Sequence, residues 1–407
     1  MARPPIPSAS LVKVSIGGRI MWIDKNRIGL TNARRTLLSL GLLLVGMLVL
    51  AACGGDDPTA TPPPPAATAT PVGIPVALLA VIEAAKGEGG TLGILNQTVA
   101  GEPDMVDALA KGMTDYFGFS IKIDAVSGPS PSRMAPQLVE EYAAGKPAVT
   151  DVFVGDDVNV MPQIEGNSVM QIDWASLVPG LPDGVVGPDN AWLRLYTRII
   201  GGISYNTDEV TPDNVPTSLN DLLDPQWKGR LATTSFVAGY REAAGLFGRE
   251  QEILDFSQAL YDSGNLQGFV RGGEVDRVAS GEFAMYILMT GVTDTVQLKR
   301  KNAPIDFVVL PEMAIVSYWT VAVPKHSAHP NLATLFGVYM LTREAQDMWY
   351  KYRDNDLHLL PGSKTKADLD VWLAGIDAQF VTNQILVDNW LELQRVRPLI
   401  AAILRGE

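Results

Sequence analysis

The sequence predicts an α/β protein of two lobes, and three observations carry that prediction. Short apolar strands alternate with segments of helical periodicity, which implies βαβ units and a mainly parallel sheet. Somewhat more than roughly 300 residues follow the leader and linker, too many for one ordinary core. The chain has a single cysteine, Cys53, so no disulfide framework is available and the fold rests on its own packing.

Residues Met1 to Asn32 show no clear periodicity. Arg34 and Arg35 then precede a nearly pure apolar run from Leu37 to Ala52, the charged, apolar and small-residue parts of a secretory signal. That run is shorter than the roughly 20 residues a bilayer span needs. Ala51-Ala52-Cys53 resembles a bacterial lipobox, which implies that the Cys53 thiol receives a diacylglycerol and becomes the new N-terminus. The arginine pair resembles a twin-arginine export signal and fits the general route equally. From Gly54 to Pro75 the Pro/Thr-rich chain has too little apolar surface to fold and reads as a solvated stalk.

The folded part opens with a helix from Val76 to Lys86, whose apolar face is Leu78, Leu79, Val81 and Ile82 and which Gly87 ends. Thr91 to Leu95 is a strand, Val106 to Phe117 a helix, Ser120 to Val126 a strand, and Met134, Leu138, Val139 and Tyr142 mark another helix. Asp151 to Gly155 is a buried strand running into Asp156-Asp157. Ligands in such sheets sit beyond the carboxyl ends of strands, so Asn96, Gln97 and Thr98, and then Asp156 and Asp157, are candidate ligand contacts. As ordinary turns and caps they would serve equally well.

Ile199 to Thr207 reads as a strand ending in a polar turn, and a helix through Leu219, Leu222 and Leu223 follows it. Leu231 to Thr234 is a strand and Phe236 begins a helix, which makes Ser235 a helix N-terminus suited to a negative group or a plain cap. Arg241 lies nearly two turns on. The strand Phe283 to Leu288 ends at Met289-Thr290-Gly291, so Thr290 joins the candidates. Pro304 to Val309 and Ile315 to Val323 are strands joined by Pro311-Glu312-Met313, and a helix opens at His329-Pro330. Apolar spacing around Leu369, Trp372, Leu386, Trp390 and Leu393 predicts helices at the C-terminal end.

Composition narrows the function. Up to Ala52 the chain carries seven of its 32 Lys and Arg but one of its 45 Asp and Glu, leaving 25 against 44 beyond it, a formal charge of −19. Such acidity argues against nucleic acid as a partner, because binding there is driven by basic patches.

Tyr205-Asn206-Thr207, Asp221-Leu222-Leu223-Asp224-Pro225 and Trp227-Lys228-Gly229 together resemble the extracellular solute-binding proteins of bacterial ABC importers, in the cluster with ferric-ion, thiamine and polyamine binders. Ala144-Gly145-Lys146-Pro147 and Ala279-Ser280-Gly281-Glu282-Phe283-Ala284 fall in the same order, and the resemblance spans roughly Val81 to Tyr350. It implies a two-lobe periplasmic-binding-protein-like fold with crossover hinge strands and a ligand cleft between lobes, in which Glu312, Tyr318 and Trp319 lie near the cleft. The implied organisation is a leader over 1–52, a lipid-anchored linker over 53–75, one lobe from 76–200 with 312–350, and the other from 201–311 with 351–407. Trp227 reads as a packing anchor. Where the ferric-ion binders carry adjacent tyrosines this chain has Val292-Thr293-Asp294, which argues against iron held by tyrosinate.

The resemblance implies a monomer on the outer face of the cytoplasmic membrane, without cofactor, that passes a small solute to a membrane permease. A receptor that reports occupancy to a sensor is the alternative, and an extracellular hydrolase is a further one. Ser363-x-x-Lys366 lacks its companion Ser-Asp-Asn and Lys-Thr-Gly elements. His326 and His329 are spaced for one helical face, but Pro330 makes His329 a helix start rather than a metal ligand. Asp156, Asp157 and Glu312 suit a cation; Ser235, Thr290 and Arg241 suit an anion.

Overall fold

The computed structural model describes residues 11–16, 19–24, 74–271, 273–289 and 291–407. Cys53, the apolar run before it and Thr290 lie outside the described residues. The chain divides into two units, residues 1–70 and 71–407. In the first, β1 (Leu11–Ile16) and β2 (Arg19–Asp24) form an antiparallel hairpin with Leu11 opposite Asp24 and Ile16 opposite Arg19. Residues Met1 to Asn32 show no clear periodicity in sequence, yet this hairpin lies within them. The strand pattern is there in the β-branched residues at alternate positions, Val12, Val14 and Ile16.

The second unit begins with α1 (Val76–Lys86), whose Leu78, Ile82 and Ala85 are buried one helical turn apart, and Gly87 closes it by donating to the Ala84 and Ala85 carbonyls. Next come β3 (Thr91–Leu95), the one-turn α2 (Gln97–Ala100), α3 (Pro103–Phe117) and β4 (Lys122–Val126), with β3 parallel to β4. Helix α3 stops where Gly118 turns left-handed. Then follow α4 (Pro131–Ala143), β5 (Phe153–Asp156), α5 (Asp157–Glu165), α6 (Trp174–Leu177) and β6 (Leu193–Ile200). Strand β6 is buried along its whole length.

Beyond it lies the second lobe: β7 (Gly202–Asn206), β8 (Leu231–Thr234), α7 (Glu250–Ser263), β9 (Leu266–Val270), α8 (Asp276–Ala279), β10 (Met285–Tyr286), α9 (Thr293–Arg300) and β11 (Ile305–Val309). Its five strands are ordered β11-β7-β10-β8-β9. The chain then returns through β12 (Ile315–Ala322), α10 (Pro330–Met340), α11 (Arg343–Arg353), α12 (Lys364–Trp372), β13 (Gln379–Phe380) and α13 (Asn383–Arg405). Strand β12 lies antiparallel to both β5 and β6, whereas the sequence suggested a mainly parallel sheet. Helix α13 packs along α7. Leu357 and Leu360 join the apolar core of the first lobe, which therefore continues past Tyr350.

The expected single strand from Ile199 to Thr207 is two strands broken at Gly201. There φ is +86°, and a Cβ would stand 2.2 Å from the Met313 carbonyl oxygen. Two crossovers meet at this point. Strand β6 passes into β7 through Gly201, and β11 passes into β12 through Pro311–Met313; Ile200 faces Ile315 on one side and Gly202 faces Val309 on the other. Paired strands that cross together form a hinge whose travel is confined to the few residues between them.

The motif residues of the second lobe hold its loops together. Asn206 is buried, donates to the carbonyls of Val278 (2.9 Å) and Ala279 (3.3 Å), and accepts from the Asp208 amide (2.8 Å), so Tyr205-Asn206-Thr207 and Ala279-Ser280-Gly281 meet in space. The Trp227 indole donates to the Asp221 carbonyl at 3.1 Å and is packed in the core, which makes it an anchor. Asn206→Ala is expected to cost about 1–3 kcal/mol, because it strands buried backbone acceptors. A urea unfolding curve with unchanged slope and lowered midpoint would show it.

Candidate functional site

Strand β5 ends at Asp156, and α5 starts on the next residue. Asp156 Oδ1 caps the helix by accepting from the Asn159 amide at 3.0 Å. Its Oδ2 accepts from Arg198 Nη2 at 3.2 Å and lies 3.6 Å from Arg241 Nη2. Arg198 stands on β6 in the first lobe and also donates through Nε to Ser317 Oγ at 3.1 Å. Arg241 belongs to the second lobe, so Asp156 joins the two lobes through one carboxylate oxygen. Arg241 is 2% exposed. Its Nε donates to Glu242 Oε1 at 2.7 Å, and Glu242 Oε2 accepts from the Gly239 amide at 2.7 Å. Burial opposes the charge on Arg241, yet Glu242 and Asp156 beside it hold its pKa above the ordinary value.

Asp157 lies one residue on and is almost fully buried. Its Oδ1 accepts from the Val158 amide, and its Oδ2 lies 4.0 Å from Arg194 Nη2. Loss of water pushes its carboxyl up to about 7, with Arg194 pulling the other way. Arg194, also on β6, donates to the Val381 carbonyl at 2.8 Å and lies 3.7 Å over the Tyr318 ring. Nearby, Tyr196 stacks on Trp319 with ring centroids 5.4 Å apart. A second clasp closes the lobes at another edge: Arg353 on α11 donates to Glu102 Oε1 at 3.2 Å and to Asp294 Oδ1 of α9 at 3.1 Å.

The other sequence candidates are spread out. Asn96 is consumed structurally, donating to the Val154 carbonyl at 2.8 Å and capping α2 through the Val99 amide at 3.0 Å. Gln97 is exposed and Thr98 half-buried on that same turn. Ser235 does not begin a helix, which corrects the sequence expectation. It sits exposed in a turn, Val237 adopts φ of +50°, and the helical turn forms only from Tyr240, continuing as a π-helix over Glu242–Leu246. Glu312 is at the hinge, where its carboxylate accepts from the Leu219 amide at 2.9 Å. The structure thus brings together Asp156, Asp157 and Arg241, and adds Arg194, Arg198 and Glu242. The sign of the added pair was visible in sequence: two arginines, four residues apart on one face of an otherwise apolar segment, need a buried reason.

The residues weighed for catalysis do not assemble. His329 Nδ1 pairs with Asp151 Oδ2 at 2.8 Å while His326 Nδ1 bonds the Lys146 carbonyl. Ser363 caps α12 through the Lys366 amide, and the Lys366 amine reaches Asp370. Among the described residues there is no group of three or more metal-ligating side chains, and no helix is long and apolar enough to cross a membrane.

Solved structures share this architecture at low identity. Iron-bound HitA from Pseudomonas aeruginosa is 20% identical, with 76% of this chain and 99% of that one covered at a TM-score of 0.58. A substrate-binding protein of an ABC transporter from Agrobacterium tumefaciens is 15% identical over 78% and 96%, with a TM-score of 0.63. AfuA from Actinobacillus pleuropneumoniae, a periplasmic binding protein with fructose-6-phosphate bound, is 17% identical over 78% and 98% with a TM-score of 0.61. Among curated proteins none matches the sequence. The family of bacterial extracellular solute-binding proteins matches residues 148–371, more than half of the sequence, and that span contains the hinge, Asp156, Asp157 and Arg241. The chain belongs to the bacterial extracellular solute-binding protein family.

Proposed function

We propose that the chain is a lipid-anchored receptor, held by Cys53 on the outer face of the cytoplasmic membrane, that captures a small solute between its lobes and presents it to an ABC import permease. One observation carries the reading: Asp156, at the end of β5 in the first lobe, lies 3.6 Å from Arg241 of the second lobe. Polar side chains buried at a boundary between lobes are costly unless opening and refilling that boundary is the purpose. Thr98, Asp156, Asp157, Thr290 and Arg241 are the residues we assign to the solute; the neighbours HitA and AfuA hold iron and fructose-6-phosphate. The protein performs no chemistry, and the permease's ATPase supplies the energy. The 22 residues from Gly54 to Pro75 give the folded part reach to that partner.

Acyl mass on Cys53 and the ligand response test this together. The solute released from natively purified protein is expected to rebind one to one and to raise the unfolding free energy by about 2.7 kcal/mol at a hundredfold excess over Kd. A thermal melt unmoved by every copurifying small molecule would contradict capture, and a Cys53 without lipid would contradict the anchor.

A further inference from the structure

We propose that the captured solute is an anion, carrying a carboxylate or a phosphate group, and that Arg241 and Arg397, with Arg198 behind them, form its docking site. The inference rests on the capture reading and adds the chemical class. Four guanidinium groups, Arg194, Arg198, Arg241 and Arg397, face three carboxylates, Asp156, Asp157 and Glu242. The excess of positive charge grows as pH falls through about 7, because loss of water raises the Asp157 carboxyl to about 7.

The partners are also unevenly used. Arg194 is spent on the Val381 carbonyl, the Tyr318 ring and Asp157. Arg198 and Arg241 share a single oxygen of Asp156, and Arg241 Nη2 is buried with no hydrogen bond. Arg397 projects from α13 half-buried, and among the described residues it makes no ion pair and no hydrogen bond. Burial, and then the charge of Arg241, hold the Arg397 pKa below its ordinary value, while Asp156 and Glu242 act more weakly in its favour. Two elements, β6 and the segment after β8, therefore bring cations to one shared carboxylate oxygen, and Arg397 of α13 lies close enough to feel the charge of Arg241. An arginine driven out of water without a partner is unstable unless a complementary group arrives. A guanidinium presents paired N–H donors that match two oxygens of a carboxylate or phosphate.

The same geometry argues against a cation. Asp156 has both oxygens engaged, one on the Asn159 amide and one on two arginines, and Glu242 has both engaged on Arg241 and the Gly239 amide. A polyamine would meet arginines first. A neutral sugar would leave the surplus charge as it is.

The test is calorimetric titration of the full-length protein with six probes: inorganic phosphate, glucose 6-phosphate, succinate, citrate, spermidine and glucose. An anion is expected to bind one to one, spermidine and glucose are not, and the phosphate and carboxylate arms tell the two headgroups apart. Arg397→Gln is expected to weaken that binding by at least about tenfold, as loss of a charge-assisted contact should, with the melting curve of the free protein unmoved. Arg241→Lys, which keeps the charge but loses the fork, is expected to weaken it similarly. Binding of spermidine or glucose in place of an anion, anion binding indifferent to both arginine variants, or no binding by any of the four anions would overturn the proposal. The first two outcomes leave solute capture standing. Failure of all six probes, with no small molecule released from the native protein, would remove both readings.

Discussion

Replacing Gly201 by valine is expected to destabilise the protein by about 3 kcal/mol or more, because the substitution is wrong in two independent ways. The backbone there holds φ of +86°, a conformation that β-branched residues reach only with strain. The new Cβ would also stand 2.2 Å from the carbonyl oxygen of Met313, and a backbone atom on the paired crossover cannot rotate away as a side chain does. A Cβ added to Gly239, itself at φ of +82°, would stand 3.2 Å from the Gly201 Cα, so the two glycine backbones approach closely and leave little room for relief on that side. Gly229→Val is the control: φ is +66° with nothing within 4 Å of a Cβ, so it should show the conformational cost of about 1–2 kcal/mol without the clash. Urea unfolding of the two variants separates the terms. A Gly201→Val protein no weaker than Gly229→Val would mean that the crossover strands are not tightly paired at that point.

The second large effect is electrostatic and depends on pH. Arg194→Met is expected to cost about 2–3 kcal/mol at pH 8, where the variant has lost the charge that lets the buried Asp157 ionise and must keep its carboxyl protonated against the solution. The carboxyl of Asp157 is raised from 3.8 to about 7 in the folded protein, so the folded state holds a proton that the unfolded chain has released between those values. Stability from this group is thus fully present below about pH 4 and is lost as pH rises through 7. Removing Arg194, which pulls the carboxyl down, moves the upper edge of that window higher. At pH 5 Asp157 is neutral in wild type and variant alike, and the cost should shrink to about 1–2 kcal/mol for the lost Val381 hydrogen bond and the Tyr318 contact. Adding Asp157→Asn to Arg194→Met should recover most of the loss at pH 8. A cost that is the same at both pH values would show that Asp157 is not the group left exposed to the change.

Much of the fold could be read from local pattern because local chemistry decides it. The bounds of α1 follow from apolar spacing and Gly87, and β3, β8, β11 and β12 follow from short apolar runs between turn residues. Asp156 and Asp157 were legible as candidates because they follow a buried strand. What escaped depends on distant partners. Strand β6 carries Arg194 and Arg198, whose polarity hides a strand that β12, more than a hundred residues later, pairs and buries. The turn at Ser235 looked like a helix start because residue type alone does not reveal that Val237 sits at positive φ and delays the helix to Tyr240. The helix that opens at His329-Pro330 stops at Met340, and α11 starts afresh behind Thr342, whose hydroxyl caps it through the Ala345 amide. Arg397 could not be placed at all before α13 was seen to lie against the second lobe.

The central claim is that one solute acts on both lobes at once, and a distance between them tests it most directly. Spin labels attached through Lys111→Cys on α3 and Asp276→Cys on α8, both exposed, in a Cys53→Ser background, would report the separation by pulsed dipolar spectroscopy. The account predicts two separations in the free protein and a shift of population to the shorter one on saturation, with a tenfold ligand preference for the closed form worth about 1.4 kcal/mol. A solute that binds one to one and leaves the distribution of distances unchanged would contradict it.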